Sequence, residues 1–415
     1  MTRTLPPTDA PLIERVLRPF QQFIATEAAS GTVLLATTAV ALALANSPLA
    51  SGYHHLFEVP LALGIRPFML VLSLREWVND GLMAIFFFLV GLEMKRELLV
   101  GALSTRRAAA LPVAAALGGM LAPAAIYLVL NRGGVGSRGW GVPMATDIAF
   151  ALGVLALLGR RMPSGLRVFL AALAIADDLG SVLVIAFFYS AAPNWVAMGG
   201  AALLLALIAL LNVTGATRWY LYALAGVALW ALVLRSGVHA TIAGVLLAFA
   251  VPLRTGVRME HALRGVVAFG IMPIFALANA GVALSGGGVA ARSPLAWGIV
   301  LGLVIGKPVG IMLASYAAVL SGAAELPVNT SWRHLHGVGW LGGIGFTMSL
   351  FIASLAFGQG PMLDVAKLGV ITASVVAGIT GYTLLSLTSP VMAVTNADAV
   401  MVSAREGGSP LDARG

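Results

Sequence analysis

Apolar runs of about twenty residues recur along this chain with hardly a charge inside them, and that length matches the hydrocarbon thickness of a bilayer. Hydrophobic residues make up 59% of the 415, and charged ones only 10%, against roughly 25% in soluble globular domains. A soluble fold cannot hide that much apolar surface. The arithmetic excludes a soluble enzyme, a nucleic-acid module and a disordered protein. The net charge of +8 does not argue for nucleic acid, because the cations fall mostly in short breaks between apolar runs. With no cysteine there is no disulfide framework and no thiol-based metal or nucleophilic site. The mixed, amphipathic stretch from Met1 to Glu27 lacks the form of a cleavable signal peptide.

Twelve runs read as membrane spans: 28–45, 77–97, 108–130, 141–158, 168–190, 195–212, 219–234, 236–252, 265–290, 294–320, 337–357 and 368–388. The fold class expected is therefore an all-α polytopic membrane protein. An N-terminal segment occupies 1–27, a twelve-helix body 28–390, and a polar, Gly/Ser-rich tail 391–415, expected to be disordered. Cations set orientation. The N-terminal side and every second loop carry 17 Lys and Arg, the opposite loops 7, which puts both termini in the cytoplasm. The remaining cation, Lys307, lies within a span. The connections are too short for a catalytic domain, so no enzyme is expected. In the outer connection Asn46 to Glu76, alternating residues around Leu63-Gly64 predict a small β-hairpin.

Ionisable residues at membrane depth are rare, costly and usually functional. This chain has Asp80, Glu93, Asp147, Asp177, Asp178 and Lys307, with Glu97 at an edge. Asp177 and Asp178 sit mid-span with apolar residues on both sides. As helix neighbours they point about 100° apart, so they do not face one another as an aspartyl-protease pair must. Lys307, beside Pro308, needs a buried counter-ion; Asp177 or Asp178 can supply it, Asp177 being preferred. Pro143 and Thr146-Asp147 predict an interrupted helix. Four glycines between Gly339 and Gly345 predict a second. Two such breaks would bring like dipole ends together, with Asp147 placed to balance positive ends and Lys307 negative ones. Paired broken helices point to an ion site in a transporter. A channel built on the same acids would pass ions without coupling them to protons.

Several motifs, in order, resemble the bacterial NhaA-type Na+/H+ antiporters: Met144-Ala145-Thr146-Asp147-Ile148-Ala149-Phe150-Ala151-Leu152-Gly153, Ile175-Ala176-Asp177-Asp178-Leu179-Gly180, Gly91-Leu92-Glu93-Met94-Lys95-Arg96-Glu97-Leu98, Ser236-Gly237-Val238-His239-Ala240-Thr241, Gly306-Lys307-Pro308 and Gly343-Ile344-Gly345-Phe346-Thr347-Met348-Ser349. The resemblance covers about residues 20 to 388. It implies twelve helices with an inverted repeat and two crossing interrupted helices, an arrangement already established for that family. It implies electrogenic exchange of about two protons for one Na+ or Li+ by alternating access in the bacterial inner membrane, regulated by pH and without a cofactor. Asp178 would be the principal ion ligand and proton carrier, and Asp177 the second acid, in a salt bridge with Lys307. Thr146 and Asp147 would line the site or balance its dipoles. Glu93, Arg96, Glu97, Glu260 and His261 match pH-sensing groups of a cytoplasmic funnel; Asp80 and His239 match further family positions. A homodimer through the Asn46–Glu76 hairpin is also implied. The chain departs from the pattern at Arg264-Gly265, where the family often shows His-Pro, so the set of charges that fixes the activation pH is open.

Overall fold

A computed structural model describes residues 12–64, 69–190 and 193–388. The tail 391–415 and the first eleven residues lie outside the described residues. The described residues are mostly helical. In order it runs α1 (Leu12–Ala45), α2 (Ala50–Glu58), a β-hairpin, α3 (Met83–Val100), α4 (Arg106–Leu130), α5 (Ile148–Leu157), α6 (Ser164–Phe188), α7 (Trp195–Val213), α8 (Trp219–Arg235), α9 (Ile242–Ala250), α10 (Leu253–Asn279), α11 (Pro294–Leu320), α12 (Trp332–Gly342), α13 (Phe346–Phe357) and α14 (Pro361–Thr388).

Among the described residues, six helices are long and apolar enough to cross a membrane, and nine spans result if each of three bent pairs counts once. These are polytopic membrane-protein proportions. The other expected spans correspond to α3, α8 and α9. α3 carries Glu93, Lys95, Arg96 and Glu97 in its second half, α8 has 17 residues and α9 only nine. The ninth expected span, 265–290, is displaced: the helix starts at Leu253 and ends at Asn279. Its first turns carry Arg254, Arg258, Glu260, His261 and Arg264, so an apolar-run criterion passes over them although they are helical.

The hairpin forms as the alternation predicts. β1 (Pro60–Leu63) pairs antiparallel with β2 (Leu70–Ser73), Leu61 opposite Leu72. Gly64 at its turn has φ +117°, a value few residues but glycine adopt. Ser73 then opens the next helical turn with a capping box: its hydroxyl accepts from the Glu76 amide at 3.2 Å, and Glu76 accepts from the Ser73 amide at 2.7 Å.

Proline shapes two of the long helices. Pro273 and Pro308 have no amide hydrogen, so the carbonyl four residues earlier loses its α-helical donor. In both places the preceding turn is π-helical, Val267–Ile271 and Gly302–Gly306. The bond then runs five residues back, Lys307 N–H to Gly302 and Met272 N–H to Val267. This widened turn delivers Lys307 into the protein interior, where its side chain is 1% exposed. α4 and α11 pack closely through small residues. A Cβ on Gly310 would lie 2.8 Å from the Ala122 methyl, so that approach needs glycine, as in small-residue helix pairs generally.

Candidate functional site

Two chain breaks meet in the centre of the bundle. In the first, a 3-10 stretch, Val135–Met144, ends in extended backbone at Ala145 and Asp147 before α5 begins, with a bend of 43°. In the second, α12 gives way to α13 across Gly343 to Gly345, also with a bend of 43°. A Cβ on Gly343 would stand 2.5 Å from the Leu303 carbonyl oxygen, which is why that break approaches α11 so closely.

The breaks are tied together by hydrogen bonds across about two hundred residues of sequence. The Asp147 amide donates to the Ile344 carbonyl at 2.6 Å. The Thr146 hydroxyl donates to Gly342 at 2.9 Å, and Ser349 to Val142 at 2.7 Å. The Asp147 carboxylate serves two helix starts at once. One oxygen accepts from the Phe150 amide of α5 at 3.1 Å; the other accepts from the Thr347 amide of α13 at 3.0 Å and from the Thr347 hydroxyl. Helix N-termini carry partial positive charge and bare amides, and one carboxylate answers both. Lys307 does the converse. Its ammonium donates to the Met144 carbonyl, at the end of the 3-10 stretch, and to Asp177 at 2.7 Å. Both members of that ion pair are 1% exposed.

Asp178 stands apart from this bonded set. It is 2% exposed, and its Oδ1 has no hydrogen-bond partner among the described residues. It lies within electrostatic range of Asp177, Asp147, Lys307 and Glu93. Asp147 and Lys307 are thus spent on the breaks. Asp177 has one oxygen on Lys307 and the other without a partner among the described residues, and Asp178 takes no part in the bonds that tie the breaks together.

A second cluster links α3 to α10. Arg264 bridges Glu93 at 3.1 Å and Glu260 at 2.8 Å; Arg96 bridges Glu260 at 3.1 Å and Glu97 at 2.8 Å. Glu260 is buried, the others partly so. The five charges alternate in sign along one chain of contacts. Arg264, the departure from the family pattern, is therefore a central member of the network. His261, next to Glu260, faces outward and is exposed. Beside the network, Lys95 donates to the Phe249 and Val251 carbonyls at 2.7 and 2.5 Å, closing the C-terminal end of α9.

Asp80 and His239 lie away from both clusters. The Asp80 carbonyl accepts from the Trp230 indole at 2.7 Å, and His239 Nε2 contacts the Tyr189 carbonyl at 2.8 Å. The sequence reading did not single out Thr347 and Ser349 individually, although they sit in the quoted glycine-rich motif; a Thr-x-Ser pair directly after a break was the available signal.

Buried acids and a lysine at the meeting of two broken membrane helices define an ion-coupled membrane transporter. The family profile described as Na+/H+ antiporter 1 matches residues 21–385. The chain is 49% identical to the Na+/H+ antiporter NhaA of Shewanella pealeana, over 91% of this chain and 98% of that protein. It is 47% identical to the one from Koribacter versatilis, over 90% and 92%, and 46% identical to the one from Salmonella arizonae, over 89% and 98%. The chain belongs to the Na+/H+ antiporter 1 family.

Proposed function

We propose that this chain exchanges Na+ or Li+ for protons across a bacterial inner membrane, about two protons per ion, with Asp178 as the principal ion ligand and proton carrier. The observation that carries this reading is the unsatisfied, buried Asp178 carboxylate beside the Asp177–Lys307 pair at the two breaks. Na+ is a hard cation and takes oxygen ligands. A carboxylate that holds Na+ in one state and a proton in another makes the two compete. Rocking of one helix group against the other, so that the site faces each side in turn, converts competition into exchange. Two acids titrating together give apparent pKa values that belong to the pair, and two protons for one Na+ move net charge.

The remaining parts of the reading follow the same lines. Twelve spans with an inverted repeat would relate α4 through α6 to α11 through α14. Both termini would be cytoplasmic. The Glu93–Arg264–Glu260–Arg96–Glu97 chain would then lie at the cytoplasmic entrance and sense pH. The hairpin would pair two protomers: Leu61, Leu63 and Val71 expose 44%, 49% and 55% of their surface, an apolar edge that a second copy would cover. Cross-linking of single cysteines placed in β1 would give dimers on that reading and monomers otherwise.

The test of function is collapse of a preformed pH gradient in proteoliposomes on adding Na+ or Li+. The proposal expects the collapse with both ions, and faster with an imposed membrane potential of the favourable sign. No ion-dependent change in interior pH contradicts it.

A further inference from the structure

Ser181 lies four residues after Asp177 and three after Asp178, spacings that place it on their side of α6. All three belong to the buried face of that helix, and Ser181 is 1% exposed. A helical serine or threonine usually donates to a carbonyl three or four residues back. Thr38 does so to Leu34 at 2.7 Å, and Ser190 to Ala186 at 2.9 Å. The Ser181 hydroxyl makes no hydrogen bond among the described residues, and neither do Asp177 Oδ1 and Asp178 Oδ1. Three buried oxygens within about a turn and a half of one helix are left without donors. Native proteins rarely leave one such atom unpaired. A bare cation answers all three together.

We infer that the Ser181 hydroxyl is a neutral Na+ ligand that completes the Asp177–Asp178 site and favours Na+ over Li+. The inference rests on the reading of those acids as the ion-carrying pair. Selectivity between hard cations follows ligand number and cavity size. Li+, the smaller ion, is satisfied by fewer and closer oxygens, so losing one neutral ligand weakens Na+ binding more. The hydroxyl carries no titratable proton in the working range, so its effect is on ion preference and not on proton coupling.

The experiment measures half-saturating Na+ and Li+ concentrations in proteoliposomes at one fixed pH, for wild type, Ser181→Ala, Ser181→Cys and Ser181→Thr. Cysteine fills nearly the same volume with a soft atom; threonine keeps the hydroxyl. The Ala and Cys variants are expected to raise half-saturating Na+ about five- to tenfold, the scale of one hydrogen-bond-strength contact. Li+ should move less than about twofold on the same scale, and threonine should restore the wild-type ratio. A Cys variant with the wild-type Na+/Li+ ratio overturns the inference, because it assigns Ser181 to packing. Equal shifts for both ions overturn it as well. Should the Ala variant fail to insert, the Cys and Thr comparison decides. Wild-type protein without any Na+-driven exchange would instead remove the functional reading itself.

Discussion

The Thr347 amide and hydroxyl both donate to one oxygen of the Asp147 carboxylate, so a single acid links the start of α13 to the break before α5. Its other oxygen holds the Phe150 amide at 3.1 Å. Asp147 is engaged in holding the breaks together, whereas Asp178 takes no part in those bonds.

Replacing Asp147 separates charge from hydrogen bonding. Asp147→Asn keeps one acceptor oxygen and loses the negative charge, an interaction of up to about 2 kcal/mol at a buried helix start. Asp147→Ala also bares the Phe150 and Thr347 amides, at about 1–3 kcal/mol each. Thermal unfolding in detergent should rank wild type above Asn and Asn above Ala. An Ala variant as stable as wild type would show that the breaks do not depend on this acid.

Lys307→Ala leaves Asp177 as a buried charge without its partner. Breaking a buried pair from one side costs roughly 3–5 kcal/mol. Removing Asp177 as well should recover part of that loss, so the double variant is more stable than the sum of the single effects predicts. Strictly additive losses in the same thermal assay would mean that the 2.7 Å contact contributes no coupling.

In the α3–α10 network Arg264 and Glu93 are 21% and 20% exposed, but Glu260 is only 2% exposed. Arg264→Ala leaves that buried carboxylate with Arg96 alone and should lower thermal stability by more than the about 1 kcal/mol of an exposed ion pair. It should also move the exchange-versus-pH curve, since Arg264 is the cation that joins Glu93 to Glu260. An unchanged pH profile would separate the network from regulation.

Much of this was legible because local chemistry announces it. Uncharged runs gave the helices, Pro143 and the Gly339–Gly345 glycines gave the two breaks, and the Leu63-Gly64 turn gave the hairpin. Pairings between distant segments left no local trace. Nothing near Asp147 names Thr347, two hundred residues away, and nothing near Glu93 names Arg264. α10 was misplaced because its first turns are charged on one side while burying Thr255, Gly256 and Glu260; apolar-run reading discards such a helix. His261 resembled a network member by position, but the step of about 100° per residue turns it away from the face that Glu260 and Arg264 share.

Asp178→Asn keeps size and removes both charge and titratable proton. Exchange should fall to background in vesicles while the amount of inserted protein stays at the wild-type level. Near-wild-type exchange by this variant would reassign the carrier to another group.

The central claim is that Na+ and protons compete for one carboxylate cluster. Initial exchange rates against Na+ concentration, at several pH values with the voltage clamped by K+ and valinomycin, test it most directly. Because each proton bound displaces the ion, half-saturating Na+ should fall as pH rises, by up to about tenfold per pH unit for each competing proton. It should level off once the acids are deprotonated. A half-saturating concentration that stays constant across the active range, with only the maximal rate changing, would contradict a shared site.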